Sequence, residues 1–344
     1  MRFFLKLVFV VIVLCALWLG WGLLLPKRAG GNGRVLLHPG WGSRRIAAEL
    51  KNAGVIRSSS AFLLLHAARM RPLKAGEYLF DHWTNTLGVY NRIARGDIYF
   101  HEVTVPEGYN LFDIATAIEN AQLGHREDFI RVARGETALI KDIDPDAHSL
   151  EGYLFPDTYR FTGTQSMHDM AATMVHRFRQ EAHQIGLIPS PGARTASAQL
   201  HTSGINLHRI VTMASIVEKE TAAPAERATV AGVYYNRLLR NMPLQADPSV
   251  IYASLLAGRF DGSIHRSDLD YESLYNTYKF AGLPPGPIAN PGRASLEAAM
   301  HPTNSDYMYF VSDGNGHHRF ARTLEEHDKN VVAYRHAIAG VSNH

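Results

Sequence analysis

A carboxylate on the apolar face of a helix is the residue of this 344-residue chain best suited to chemistry. Glu218 stands in the string Met213-Ala214-Ser215-Ile216-Val217-Glu218-Lys219-Glu220-Thr221. With 3.6 residues per turn it shares a face with Val211, Ala214 and Ser215. Burying a charge on such a face is costly, and a carboxyl kept from water there favours its protonated form. That is the form a general acid needs. The competing reading is that the face is exposed, or that Glu218 pairs with Lys219 or Arg237. Glu220 falls on a different face near the helix end and reads as solvated. Lys219 reads as a surface residue.

Other polar groups cluster after this helix. Gln245, Asn276 and Tyr278 lie near turns and suit hydrogen bonding to sugar hydroxyls, although each is also an ordinary loop residue. Asp247, followed by Pro248, fits a helix N-cap with proline at the first helical position, which structure alone explains. The Gly282-Leu283-Pro284-Pro285-Gly286-Pro287-Ile288 loop is stiff enough to wall a cleft or to cross the surface. His301 and the pair His317-His318 read as a helix end and a hairpin tip. There is no His-Glu-x-x-His and no Cys-x-x-Cys, so a metal site is not expected. The single cysteine, Cys15, lies in the N-terminal apolar run, which excludes disulfides and Cys-ligated zinc from the remainder. A net charge of +3 with interspersed signs makes nucleic acid a poor partner.

These groups need elements to hold them, and the composition, 46% hydrophobic and 19% charged, is that of a globular chain. Leu7 to Leu25 is a run of 19 uncharged residues flanked by Arg2, Lys6, Lys27 and Arg28. As a helix it spans roughly 28 Å, close to the thickness of a bilayer core. It lacks the short apolar region and Ala-x-Ala-like end of a cleaved signal peptide, so an uncleaved anchor is expected. Residues 29–34 read as a short flexible linker. A strand at Val35–Leu37, helices from Ser43 and from Ser58–Ser60 to Met70, and a strand at Tyr78–Phe80 give a βααβ order. Gly40-Trp41 before Ile46-Ala47 is echoed by Gly108-Tyr109 before Ile114-Ala115, a strand–turn–helix device used twice. Residues 186–206 read as a linker or long loop. Helices to about Glu220, over Glu226–Arg240 and from Asp247 follow. Asp313-Gly314-Asn315-Gly316 marks a hairpin, and Thr323-Leu324-Glu325-Glu326 opens the last helix as a capping box.

Several strings together resemble the endolytic murein transglycosylase (YceG-like) family. They are Leu150-Glu151-Gly152-Tyr153-Leu154-Phe155-Pro156-Asp157-Thr158-Tyr159, the Ala214–Thr221 string, Leu244-Gln245-Ala246-Asp247-Pro248-Ser249-Val250, Tyr275-Asn276-Thr277-Tyr278, the Gly282–Ile288 loop, His301-Pro302 and Tyr309-Phe310-Val311. The resemblance implies an α+β fold: an anchor at 1–28, a LysM-like βααβ subdomain at 33–100, a connecting part at 101–186 and an α+β catalytic domain at 207–340. It places the catalytic glutamate on Glu218, makes Gln245, Asp247, Asn276 and Tyr278 cleft residues, and implies no cofactor. It also implies cleavage of the MurNAc–GlcNAc β-1,4 bond within nascent peptidoglycan strands. The products carry 1,6-anhydro-MurNAc ends, the effect is to terminate glycan elongation, and the site is the periplasmic side of the inner membrane. Peptidoglycan synthases (penicillin-binding proteins) are the implied protein partners. A water-using muramidase and a non-enzymatic peptidoglycan-binding scaffold are the competing readings.

Overall fold

The computed structural model describes residues 1–30, 33–188 and 206–341. The expected linker at 186–206 therefore lies almost wholly outside the described residues. The chain is a mixture of helices and short two-stranded sheets behind an N-terminal apolar helix. It divides into two compact units. One comprises Met1–Glu102, Ala121–Leu123 and Arg160–Ser166; the other comprises Val103–Asn120, Gly124–Tyr159 and Met167–His344.

The first unit begins with helix α1 (Arg2–Leu24), whose mean hydropathy of 2.7 and length of 23 residues are enough to cross a membrane. Then come strand β1 (Arg34–Leu37), helices α2 (Ser43–Asn52) and α3 (Ser59–Arg69), and strand β2 (Gly76–Leu79). This is the βααβ order read from the periodicity. β1 and β2 pair antiparallel, with Arg34 opposite Leu79 and Leu37 opposite Gly76. Val35 and Leu37 alternate inward and meet Ile46, Leu50, Phe62 and Tyr78 in the core. The Ser58 hydroxyl caps α3 by accepting the Ala61 N–H at 3.2 Å. A further helix, α4 (Thr86–Arg95), is capped by Asn85 and closes the core with Val89, Tyr90 and Ile93.

The flexible linker expected at 29–34 is tied down where it is described. Just before it, Thr86 donates to the Gly22 carbonyl at 2.6 Å, Arg57 to Pro26 at 2.9 Å, and Lys27 and Thr84 exchange backbone bonds; within it, the Phe80 N–H donates to the Gly33 carbonyl at 2.8 Å. Ala29 packs on the core and Arg34 already belongs to β1. Gly22 is buried because a Cβ there would lie 2.9 Å from Ala61 Cβ. Small size at one helical position thus lets the end of α1 seat on α3.

The chain passes into the second unit through β3 (His101–Thr104) and leaves and re-enters it around β4 (Thr158–Phe161). Gly108 adopts φ +78°, as Gly40 adopts φ +81° in the first unit. The echo in sequence is therefore an echo in backbone: a left-handed glycine before a helix. In the second unit that helix is α5 (Leu111–Asn120), followed by α6 (Arg126–Gly135) and the long α7 (Met167–Gln184). The central helix α8 (Leu207–Glu220) buries every residue from Ile210 to Val217, a continuous run that only an element covered on all sides sustains. Around it stand α9 (Arg227–Leu239), α10 (Asp247–Leu256), which carries the short α11 (Arg266–Leu269), and α12 (Arg293–Met300). The expected hairpin is present as β5 (Tyr309–Ser312) and β6 (His318–Ala321), backed by α13 (Leu324–Val341).

The Leu150–Tyr159 string works as a wedge at this core. Gly152 adopts φ +87°, and a Cβ there would lie 2.5 Å from Pro287 Cγ and 2.8 Å from Val211 Cγ1. Gly152→Ala combines left-handed strain with overpacking and is expected to destabilise the chain by about 2–4 kcal/mol. Chemical denaturation should register it, whereas the same change at Gly186, where open space surrounds the position, should cost less.

Candidate active site

Glu218 lies in the last turn of α8 with 6% of its side chain exposed. Its two oxygens have different partners. Oε2 accepts the Gly292 N–H at 2.9 Å, and Oε1 accepts from Arg227 Nη2 at 3.3 Å. Neither cation considered from sequence is its partner. Lys219 donates to the Gly108 carbonyl at 3.3 Å, and Arg237 is occupied by the carbonyls of Met308 and Leu244, both at 2.7 Å. Arg227, the first residue of α9, is the cation that spacing did not reveal. It also lines an open groove with Ile185, Pro224, Ala228, Glu297 and His301.

The Gly292 amide is aimed by a loop that is unusually well buried for an irregular segment, from Gly286 to Gly292. Its polar groups must therefore be paired internally. Ile288 N–H donates to Ser215 Oγ at 3.0 Å. Asn290, wholly buried, exchanges backbone bonds with Gly108 and Tyr109 at 3.0 and 2.8 Å. Its side chain accepts the Leu154 N–H at 2.9 Å and donates to Tyr109 O at 2.9 Å and to Glu151 Oε1 at 2.8 Å. The other Glu151 oxygen accepts from Leu111 N–H and Tyr252 OH, both at 2.9 Å. Burial pushes the Glu151 carboxyl up to about 8, against the pull of these donors. A Cβ at Gly292 would lie 1.9 Å from Glu107 Oε1, so a larger residue there would displace the Glu107 carboxyl.

The other end of the loop is fixed by His208, whose ring nitrogens lie 2.8 Å from Asp144 Oδ2 and 2.8 Å from the Pro285 carbonyl. Both partners are acceptors, so the ring has to donate from both nitrogens, which is the imidazolium form. The hydrogen bond to Asp144 accordingly holds the His208 pKa above its ordinary value. Tyr153 donates to the same Asp144 oxygen.

A model of the YceG-like family matches residues 35–333. The chain belongs to the YceG-like family. It is 35% identical over 305 residues to a Bacillus subtilis protein named endolytic murein transglycosylase, covering 84% of this chain and 81% of that protein. A Streptococcus pneumoniae protein of the same name is 29% identical over 345 residues, covering 90% of this chain; the chain spans 60% of that relative's length. The crystal structure of a YceG-like protein from Listeria monocytogenes aligns with a TM-score of 0.58 at 33% identity, covering 86% of this chain and 97% of that one.

In this YceG-like chain the remaining polar residues singled out from sequence fall into two groups. Asp247 and Tyr278 come together, the tyrosine hydroxyl donating to Asp247 Oδ1 at 2.6 Å. Asp247 is the first residue of α10 rather than its cap; the N-cap is Ala246, and the aspartate side chain serves Tyr278 instead. Gln245 is exposed beside them in a left-handed conformation of φ +50°, its N–H bonded to Thr277 O at 3.1 Å. Asn276 is wholly buried. Its amide donates to the carbonyls of Asp268, Leu269 and Tyr271, and its Oδ1 accepts the Tyr278 N–H, so it holds the turn that presents Tyr278. Glu220, read as solvated, is half-buried and accepts from Tyr234 OH at 2.7 Å. Burial pushes its carboxyl up to about 7; the Tyr234 bond and Arg237 oppose that rise and Asp247 adds to it. No local pattern marks Glu220 as covered, since Tyr234 and Asp247 reach it from other helices.

Glu151 makes the stability of this site pH-dependent. A carboxyl with a folded value of about 8 keeps a proton that the unfolded chain releases near 4.5. Its contribution is complete below the unfolded value and is lost as pH rises through about 8. The raised value of His208 acts in the same direction, from 6.5 upward. The Tm should therefore fall from mildly acid to mildly alkaline pH, and Glu151→Gln should flatten that slope; parallel curves for the two proteins would contradict the assignment.

Proposed function

We propose that this chain is an endolytic murein transglycosylase in which Glu218 acts as both the acid and the base. The carrying observation is a nearly buried glutamate, in the Ser-Ile-Val-Glu-Lys-Glu-Thr string of a YceG-like chain, held at both oxygens by a backbone amide and a guanidinium. The curated relatives named endolytic murein transglycosylase support the reaction class.

The chemistry explains why one carboxyl can suffice. Glycosidases that use water or a protein nucleophile need two carboxyls. When the attacking group is the substrate's own C6 hydroxyl on MurNAc, the nucleophile is already in place. Glu218 gives its proton to the glycosidic oxygen as the bond to C1 of MurNAc breaks. O6 then bonds to C1, and its proton passes to the Glu218 carboxylate. The enzyme ends with the proton it began with, and the sugar ends as the 1,6-anhydro form. Fixed hydrogen bonds to Glu218 cost no reorganisation during this exchange.

Finer features follow from the same reading. Gln245, Asp247 and Tyr278 contact the glycan, with Asn276 supporting their turn. The substrate is nascent peptidoglycan, cleavage ends strand elongation, and peptidoglycan synthases are the protein partners. Helix α1 anchors the chain in the inner membrane with the catalytic residues on the periplasmic side, and the βααβ portion of the first unit is LysM-like. The test is product analysis by mass spectrometry on purified peptidoglycan. Wild type should release anhydro-ended fragments, and Glu218→Gln should lower their rate by at least about a thousandfold while keeping the wild-type melting temperature. Undiminished strand cleavage by Glu218→Gln would refute the assignment of Glu218, and absence of cleavage by wild type would favour the scaffold reading.

A further inference from the structure

The contacts of Glu218 raise a problem for its role. Glu218 has to give a proton, yet one of its oxygens accepts from a guanidinium and the other from a backbone amide. A second carboxylate at the same guanidinium changes that balance. Arg227 Nη2, 3.3 Å from Glu218 Oε1, is also 3.8 Å from Glu107 Oε2. Glu107 is held there by its backbone. The Gly108 N–H donates to Asn290 O, the Asn290 N–H to Tyr109 O, and Lys219 Nζ to Gly108 O. The missing side chain of Gly292 supplies the room that the Glu107 carboxyl occupies. Arg227 retains a buried Nε without a hydrogen-bond partner among the described residues, so the two carboxylates do not saturate it.

We propose that Glu107 is the second carboxylate of the active site, a positioning residue that shares Arg227 with Glu218 so that one proton is held between the two carboxylates for delivery by Glu218. Two ionised carboxylates against one guanidinium leave the cluster one negative charge in excess. A single proton removes the excess, and the proton then belongs to the pair. The Glu107 carboxyl is pushed above its ordinary value, first by burial and next by the charge of Glu218, with Arg227 opposing both. The charged groups acting on Glu107 are Glu218 from α8 and Arg227 from α9; Lys219 Nζ is turned to the Gly108 carbonyl at 3.3 Å, and Arg293, next in the loop, is engaged with Glu297 at 2.9 Å. Glu107 has half of its side chain exposed, which lets it exchange that proton with water between turnovers.

The inference rests on Glu218 being the acid. The test is the pH profile of anhydro-product formation by the full chain in detergent, from about pH 5 to 9, where the alkaline limb reports loss of the catalytic proton. Glu107→Gln leaves Arg227 acting on Glu218 alone, so the limb should move down by about one unit. Activity should then fall about tenfold on the alkaline side and hold at the acid end. Glu107→Asp should keep the wild-type limb, and Arg227→Gln should move it upward. A uniform loss at every pH in Glu107→Gln, an unchanged profile, a Glu107→Asp shift as large as that of Gln, or a downward shift in Arg227→Gln would each overturn the proposal. Glu218→Gln, assayed alongside, separates the two ideas: if it is active the reading of Glu218 fails, and if it is inactive only the role of Glu107 is at issue.

Discussion

The hydrogen bond from the Asn290 amide to Glu151, with both residues out of water, is the joint on which the site depends. Through it the N-terminus of α5, the hydroxyl on α10 and the loop before α12 meet at one carboxyl. Removing either partner would strand several buried donors and acceptors, each costing about 1–3 kcal/mol. That cost makes the arrangement all-or-none. Because Asn290 is fixed, the Gly292 N–H two residues later points at Glu218, and the turn carrying Glu107 is drawn to the same place. The Leu150–Tyr159 string, far from α8 in sequence, is therefore part of the support of Glu218.

Precision of this kind suits a reaction in which the protein supplies little covalent chemistry. In the proposed mechanism the glycan brings its own nucleophile, so the enzyme has to hold one carboxyl in place and manage one proton. The buried face of α8 and the packed loop provide the rigidity, and Arg227 lies within 4 Å of both carboxylates whose charge the proposal balances. A second cluster, Glu220 with Tyr234, Asp247 and Tyr278, gathers further ionisable groups around the same helix end.

Much of this was legible in the sequence where it depended on local order. The 3.6-residue period set Glu218 beside Val211, Ala214 and Ser215, and those neighbours are buried. The βααβ order, the Gly40 and Gly108 turns and the Asp313–Gly316 hairpin are likewise written in short segments. What stayed hidden is long-range. Asn290 finds Glu151 at a separation of 139 residues, Gly292 finds Glu218 at 74, and no spacing rule connects them. Arg227 carries no signal of its own, because the break at Pro224 hides which way the next helix turns. Asn276 read as a sugar ligand because its burial depends on the carbonyls of a turn that no pattern announces.

Two carboxylates at Arg227 make the choice between intramolecular attack and hydrolysis worth testing, since hydrolysis by water uses a second carboxyl. Digestion of purified peptidoglycan in water enriched in oxygen-18, with mass spectrometry of the new MurNAc ends, decides between them. Attack by O6 leaves those ends as anhydro sugars with no oxygen-18. Reducing ends carrying one oxygen-18 at C1 would contradict the account.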